Sequence, residues 1–160
     1  MKRLALSLLL VASATTAADF TTQDGTTISY EEAPFQARSH NVTYCKNETP
    51  CACQVDGAWP FGTAPCQLPE TQLVELQLRV AGKTYPLSTS RMFNPGIDPA
   101  HPEKQFKVSC KAKACTVKAS FSDGAGTYVA EWKLQDGKAR RTLLSSDEEI
   151  VDKVMRDIRE

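Results

Sequence analysis

The sequence predicts a mainly β protein, built as an antiparallel meander or sandwich or a partly open barrel. It ends in one C-terminal α-helix and is braced by disulfides. Three observations carry this expectation. Apolar and polar residues alternate through several short runs separated by turn dipeptides. The last run switches to helical spacing. Six cysteines follow a leader of the kind that directs a chain out of the cytosol. A chain of 160 residues accommodates one ordinary domain.

The leader comes first. Met1-Lys2-Arg3 supplies positive charge, Leu4 to Ala14 is apolar, and small residues run to Ala17-Ala18 before Asp19. This is the three-part plan of a secretory signal peptide. Its apolar stretch is well short of the ~20 residues that span a bilayer. A cut after Ala18 makes residues 1–18 the signal peptide and 19–160 the mature domain; a cut after Ala14 is the other possibility. No later run is apolar enough to cross a membrane as a helix. The product is therefore expected to be soluble, and periplasmic or secreted.

Ile28 to Glu32 and Asn41 to Cys45 read as early strands. The cysteine-rich region 45–66 then carries Cys45, Cys51, Cys53 and Cys66 among Asn47, Pro50, Gly57, Pro60, Gly62 and Pro65. Such a stretch buries little apolar surface and needs covalent help to order. A Cys51–Cys53 bond would close a very small strained ring. Two arrangements remain: Cys45–Cys51 with Cys53–Cys66, or Cys45–Cys53 with Cys51–Cys66. Each bridge is expected to stabilise by ~2–4 kcal/mol through loop closure.

Val74 to Val80 alternates, with Val74, Leu76, Leu78 and Val80 on one face and Glu75, Gln77 and Arg79 on the other. Ala81-Gly82 turns this strand into Lys83 to Leu87, where Pro86 marks a sheet edge. The region 105–144 reads as an antiparallel meander. Gln105–Cys110 and Cys115–Ser122 form a hairpin that a Cys110–Cys115 bridge can close. Thr127–Leu134 follows, with Tyr128, Ala130, Trp132 and Leu134 on one face, and the strong turn signal Asp136-Gly137 leads into Lys138–Leu144. The helix is expected over 147–159. Ser146 and Glu149 form a capping box, and Ile150, Val151, Val154, Met155 and Ile158 form its apolar stripe.

Charge excludes some functions. The 19 basic and 19 acidic side chains balance, which leaves no electrostatic footprint for nucleic acid or an anionic membrane. Catalytic machinery is sparse. The only two histidines, His40 and His101, lie in no metal-binding pattern, and no nucleophile elbow or phosphate-cradling loop is present. No catalytic residue, metal ligand or cofactor is assigned, and the chain is not expected to be an enzyme.

Recognition has two candidate carriers. The Pro-rich loop Ser90 to Pro102 holds Arg91, Met92, Phe93 and His101, and the stretch Trp59-Pro-Phe61-Gly62 lies inside the cysteine cluster. Loops on a rigid sheet are frequent binding sites. The competing arrangement folds Met92, Phe93 and Ile97 over one end of the core, which is the commoner use of such residues on a monomer. Asn41-Val-Thr43 and Asn47-Glu-Thr49 match the N-glycosylation pattern.

The expected function is thus an exported soluble binding protein, an inhibitor or immunity-type protein that blocks another protein in the periplasm. One alternative is a periplasmic metal- or thiol-handling factor using Cys51 and Cys53. A second is a small secreted hydrolase, which would need His40 or His101 beside a Ser, Cys or Asp in a cleft.

Overall fold

The computed structural model describes residues 15–22, 25–45, 51–112 and 114–160, with Cys51 described in its backbone only. The leader up to Ala14 and the Asn47 acceptor lie outside the described residues. The elements run β1 (Thr16–Thr21), β2 (Thr27–Pro34), β3 (Val42–Cys45), β4 (Cys51–Val55), β5 (Thr71–Val80), β6 (Lys83–Pro86), β7 (Phe106–Lys111), β8 (Ala114–Phe121), β9 (Tyr128–Gln135), β10 (Lys138–Ser145) and α1 (Glu148–Arg159). They form three antiparallel sheets, none of them closed: β1-β2-β5-β6, β10-β9-β8-β7 and the small β3-β4 ribbon.

The two four-stranded sheets share one core. Ile28, Tyr30, Leu73, Leu76 and Leu78 come from the first sheet, and Val117, Phe121, Tyr128, Trp132 and Leu134 from the meander. Period-two alternation makes this possible, since each strand turns one row of side chains inward. The meander's other face is capped by α1, whose Val151 and Val154 pack on Val129 with Leu143 beside them. The helix stripe is therefore core, and a three-turn helix is held by that packing rather than by its own propensity.

Turn chemistry explains the hairpins. Asp136 and Gly137 both have positive φ (52° and 72°), as do Ala81 and Gly82 (49° and 72°). That pair of signs matches the right-handed twist of the strands each turn joins. Pro86 sits on β6, an edge of its sheet, where its missing N–H costs no ladder bond. Cys110 and Cys115 face each other across β7 and β8 and are bonded, with Cα atoms 4.1 Å apart.

Two expectations need correction, on β5 and on the helix cap. Alternation in β5 is broken at Val74: Glu31 pairs with Glu75 but Glu32 with Leu73, so Val74 is the extra residue of a bulge. Leu73 is buried in its place and Val74 is exposed. A second bulge at Thr142 in β10 turns Arg141 inward and Leu143 outward, beneath α1. The helix cap is Asp147, whose carboxylate accepts from the Ile150 N–H at 3.2 Å; Ser146 does not cap it. An ionised Asp is the stronger acceptor and adds favourable charge at the helix start.

The leader's end lies close to β1. β1 begins at Thr16 and pairs residue by residue with β2 from Thr16–Glu32 to Thr21–Thr27, while Ala18 and Phe20 pack on the core. A cut after Ala18 would remove half of this strand. A cut after Ala14 leaves it whole.

Of the pairs left open among the clustered cysteines, Cys45–Cys53 is observed, with Cα atoms 5.4 Å apart. Cys66 is also disulfide-bonded, and its backbone bridges to Ala52 of β4. The region 45–66 is thus part strand, because β4 pairs with β3 despite its weak apolar pattern.

Candidate functional site: a groove beside His40 and Arg91

The two stretches singled out for recognition meet in space. Phe61 and Met92 form a parallel bridge, with Phe61 N–H donating to Arg91 O and Phe93 N–H donating to Phe61 O, both at 3.1 Å. Phe93 in turn pairs with Gln72 of β5. Loop backbone is thereby incorporated into ladder-like bonding, which satisfies groups that burial would otherwise orphan.

This pairing sorts the predicted residues. Met92 and Phe93 are 1% and 5% exposed and belong to the protein interior, so they offer a partner almost no side-chain surface. Phe61 is half-buried against Tyr128 and lies beneath Arg91, whose guanidinium carbon sits 4.9 Å from the ring centroid. Arg91 and Trp59 are exposed, and Arg91 Nε donates to the Trp59 carbonyl at 3.3 Å. His101 is elsewhere. It is exposed, with Nδ1 3.4 Å from a Glu103 carboxylate oxygen, in a separate depression beside Met155 and Ile158 of α1.

Beside Arg91 runs a groove of about 460 Å³, lined by His40, Asp56, Gln72, Val74, Thr89 and Ser90 among others. His40 joins its two walls. Nδ1 lies 2.7 Å from Asp56 Oδ2, and Nε2 lies 3.0 Å from Gln72 Oε1. The other Asp56 oxygen accepts from the Asn41 N–H at 2.9 Å. The imidazole stacks on Phe35, with centroids 4.7 Å apart, and meets Phe93 edge-on. Asp56 therefore selects the tautomer with hydrogen on Nδ1, and a turned Gln72 amide then donates to Nε2. The imidazolium instead donates to both oxygens. Either protonation state is satisfied, so His40 ties the β3–β4 ribbon to β5.

The floor is fixed from the meander side. Arg141, turned inward by the Thr142 bulge, donates to Ser90 O at 2.7 Å and to Ser90 Oγ at 3.0 Å. Trp132 Nε1 donates to Ser88 O at 3.0 Å. Burial, with Arg91 nearby, pushes the Arg141 guanidinium below its usual range. The Ser90 hydroxyl is engaged by Arg141 and Ser88. Among the described residues His40 makes no hydrogen bond to Thr89 or Ser90; its partners are Asp56 and Gln72.

Hydrogen bonding by His40, and then by the Asn41 N–H, holds the Asp56 carboxyl below its usual value of 3.8. An unfolded Asp56 thus takes up its proton first as pH falls. The contact's contribution is fully present above about pH 4 and is lost as pH falls through the depressed value. The stability difference between wild type and Asp56→Asn, read from urea midpoints, is expected to shrink progressively below about pH 4. A difference independent of pH would remove this role.

Sequence reasoning missed Asp56, Gln72, Val74, Thr89 and Ser90. One signal was present: Asp56-Gly57 is a two-residue turn, with φ of 54° and 76° and paired bonds between Val55 and Ala58. It places Asp56 at the end of a ribbon that starts next to His40. No family model, curated protein or solved structure matches the chain.

Proposed function

We propose that the chain is an exported binding protein, an inhibitor or immunity-type protein that engages another protein through the rim of this groove. The supporting observation is that Trp59, 44% exposed, stands beside exposed Arg91 on two loops locked together by backbone bonds and a buried Met92–Phe93 base. Trp and Arg are the side chains most often dominant at protein interfaces, and Val74 extends the apolar part of the rim. A rim already ordered before contact loses little entropy on binding. Of the predicted contact residues, Trp59 and Arg91 carry the proposal, Phe61 supports Arg91, and His101 faces another surface.

Processing follows from the same reading. Ala12-Ser-Ala14 has the small-x-small form of a signal cleavage site, and a cut there preserves β1. The intact mass of the exported protein is expected to place Thr15 first.

The test is capture from native envelope extract on immobilised protein. Trp59→Ala and Arg91→Ala are each expected to weaken capture of a retained partner by about 30-fold, as hot-spot losses of about 2 kcal/mol do, with thermal unfolding unchanged. A partner held equally by wild type and both variants would discard this surface. The Asp56–His40 pair favours one second reading, a small hydrolase whose Nε2 is released when Gln72 swings away. Ester turnover abolished by His40→Ala would establish it. The metal- or thiol-handling alternative requires the Cys45–Cys53 bridge to open, since Cys53 is one of its two sulfurs.

A further inference from the structure

We propose that the open part of the meander's outer face is a second binding surface, suited to an acidic polypeptide segment of another protein. Register places its cations. Ser109 lies opposite Thr116, Thr116 opposite Lys133, and Lys133 opposite Arg140, which makes one row across all four strands. Lys138, opposite Gln135, stands in the next row toward the hairpin turns, as does Lys111 at the far edge. Lys133, Lys138 and Arg140 line a shallow depression of about 510 Å³, where three cations outnumber the single carboxylate of Asp136.

Two like charges directly across an antiparallel pair are destabilising. Lys133 is partly offset by Glu131 at 3.5 Å, whereas Arg140, Lys138 and Lys111 form no ion pair among the described residues. These exposed side chains are therefore open to an external counter-charge.

The same face shows what it accepts. Next to these rows it carries α1, a helix of mixed charge with Glu148, Glu149, Asp152 and Asp157 beside Lys153, Arg156 and Arg159. Asp157 is gripped there by two lysines: Lys118 Nζ binds its carboxylate, and Lys107 Nζ donates to its carbonyl at 2.7 Å. Lys118, with Lys107 and Lys153 adding to it, holds the Asp157 carboxyl below its usual range. The face thus already binds one carboxylate of α1, and the cationic rows continue beyond it.

Strand spacing of about 4.8 Å sets Lys133 and Arg140 at a separation that carboxylates four apart on a helix, about 5–6 Å, can meet. No aromatic side chain occupies these rows. The face accordingly lacks the stacking platform of single-stranded nucleic-acid binders and the aromatic anchors of a lipid interface.

The experiment uses the oxidised full-length mature protein and poly-L-glutamate at low ionic strength, with a single-stranded oligonucleotide and phosphatidylglycerol vesicles as parallel probes. Poly-L-glutamate is expected to bind in a salt-sensitive manner. The double variant Lys133→Gln, Arg140→Gln is expected to weaken that binding by about tenfold or more without lowering the melting temperature, because it also removes a repulsion. Lys138→Gln, at the exposed rim, serves as a milder second variant with a smaller loss. Trp59→Ala should bind poly-L-glutamate normally, which separates this surface from the groove. Absent binding, binding unaffected by the double variant, or tighter binding of the oligonucleotide or vesicles would overturn the proposal.

Discussion

Replacing Gly62 with alanine is expected to destabilise the protein by ~2–5 kcal/mol and to dismantle the groove rim. Gly62 has φ of +87°, and a Cβ there would lie 1.9 Å from the Phe93 carbonyl oxygen and 2.8 Å from its carbon. Neither neighbour can yield cheaply. Phe93 donates its N–H to Phe61 O, and Asn94 Nδ2 donates to Gly62 O at 2.9 Å, so the two loops are bonded on both sides of the collision. Relief would push Phe61 from beneath Arg91. Gly82→Ala is the matched comparison, since its φ of +72° is similar but open space surrounds its Cβ position. The difference between the two urea midpoints isolates the clash from the dihedral strain. Equal losses would mean that the loop junction is soft.

Trp132→Ala is expected to cost ~3–5 kcal/mol, a large share of the ~5–15 kcal/mol that holds a typical domain together. The side chain is 1% exposed, lies between the two large sheets, and meets Phe121 edge-on at 6.4 Å. Truncation leaves a cavity at the centre and removes the donor to Ser88 O. Trp132→Phe keeps most of the volume, and Arg141 Nη1 still reaches the same carbonyl at 3.4 Å, so a loss of only about 1–2 kcal/mol is expected. Far-ultraviolet circular dichroism reads the urea midpoints, because both variants lose the buried fluorophore; fluorescence follows the wild type. The chain has two tryptophans, one buried at 132 and one exposed at 59, and only Trp132 should shift to the red on unfolding. A Trp132→Ala protein that unfolds at the wild-type midpoint would contradict the shared core.

Much of the meander was legible because its strands are consecutive and each pairs with its neighbour in sequence. Alternation at Tyr128, Ala130, Trp132 and Leu134 and the Asp136-Gly137 turn are local signals with local consequences. The same locality exposed the Cys110–Cys115 pair. Bulges are a different matter. Val74 continues the apolar alternation of β5, yet pairing with β2 slips by one residue there and sends Leu73 inward instead. That choice belongs to the partner strand, which the run itself cannot display. β1 was hidden because Ala17 and Ala18 also suit the end of a leader, and β4 because Cys-Ala-Cys-Gln has no apolar period.

The site was less legible than the fold. His40 meets Asp56 across the β3–β4 ribbon and Gln72 from a different sheet, 16 and 32 residues away in sequence. None of the three belongs to a motif. The prolines and aromatics flagged the correct loops, but composition could not separate exposed Arg91 and Trp59 from buried Met92 and Phe93, because backbone bridging between the loops decides which side chains point inward.

Strand order also sets a timetable. In the N-terminal sheet β2 pairs with β5, and residues 35–70 lie between them, whereas β7 to β10 follow one another with short turns. A chain delivered from its N-terminus therefore presents Ile28 and Tyr30 long before Leu76 and Leu78 arrive to cover them. Closing so long a stretch is entropically costly, and contacts distant in sequence form slowly. The Cys45–Cys53 bridge, once formed, shortens the span over which β2 must search for its mate. A Cys45→Ala, Cys53→Ala protein is accordingly expected to refold more slowly than wild type, as read by stopped-flow circular dichroism.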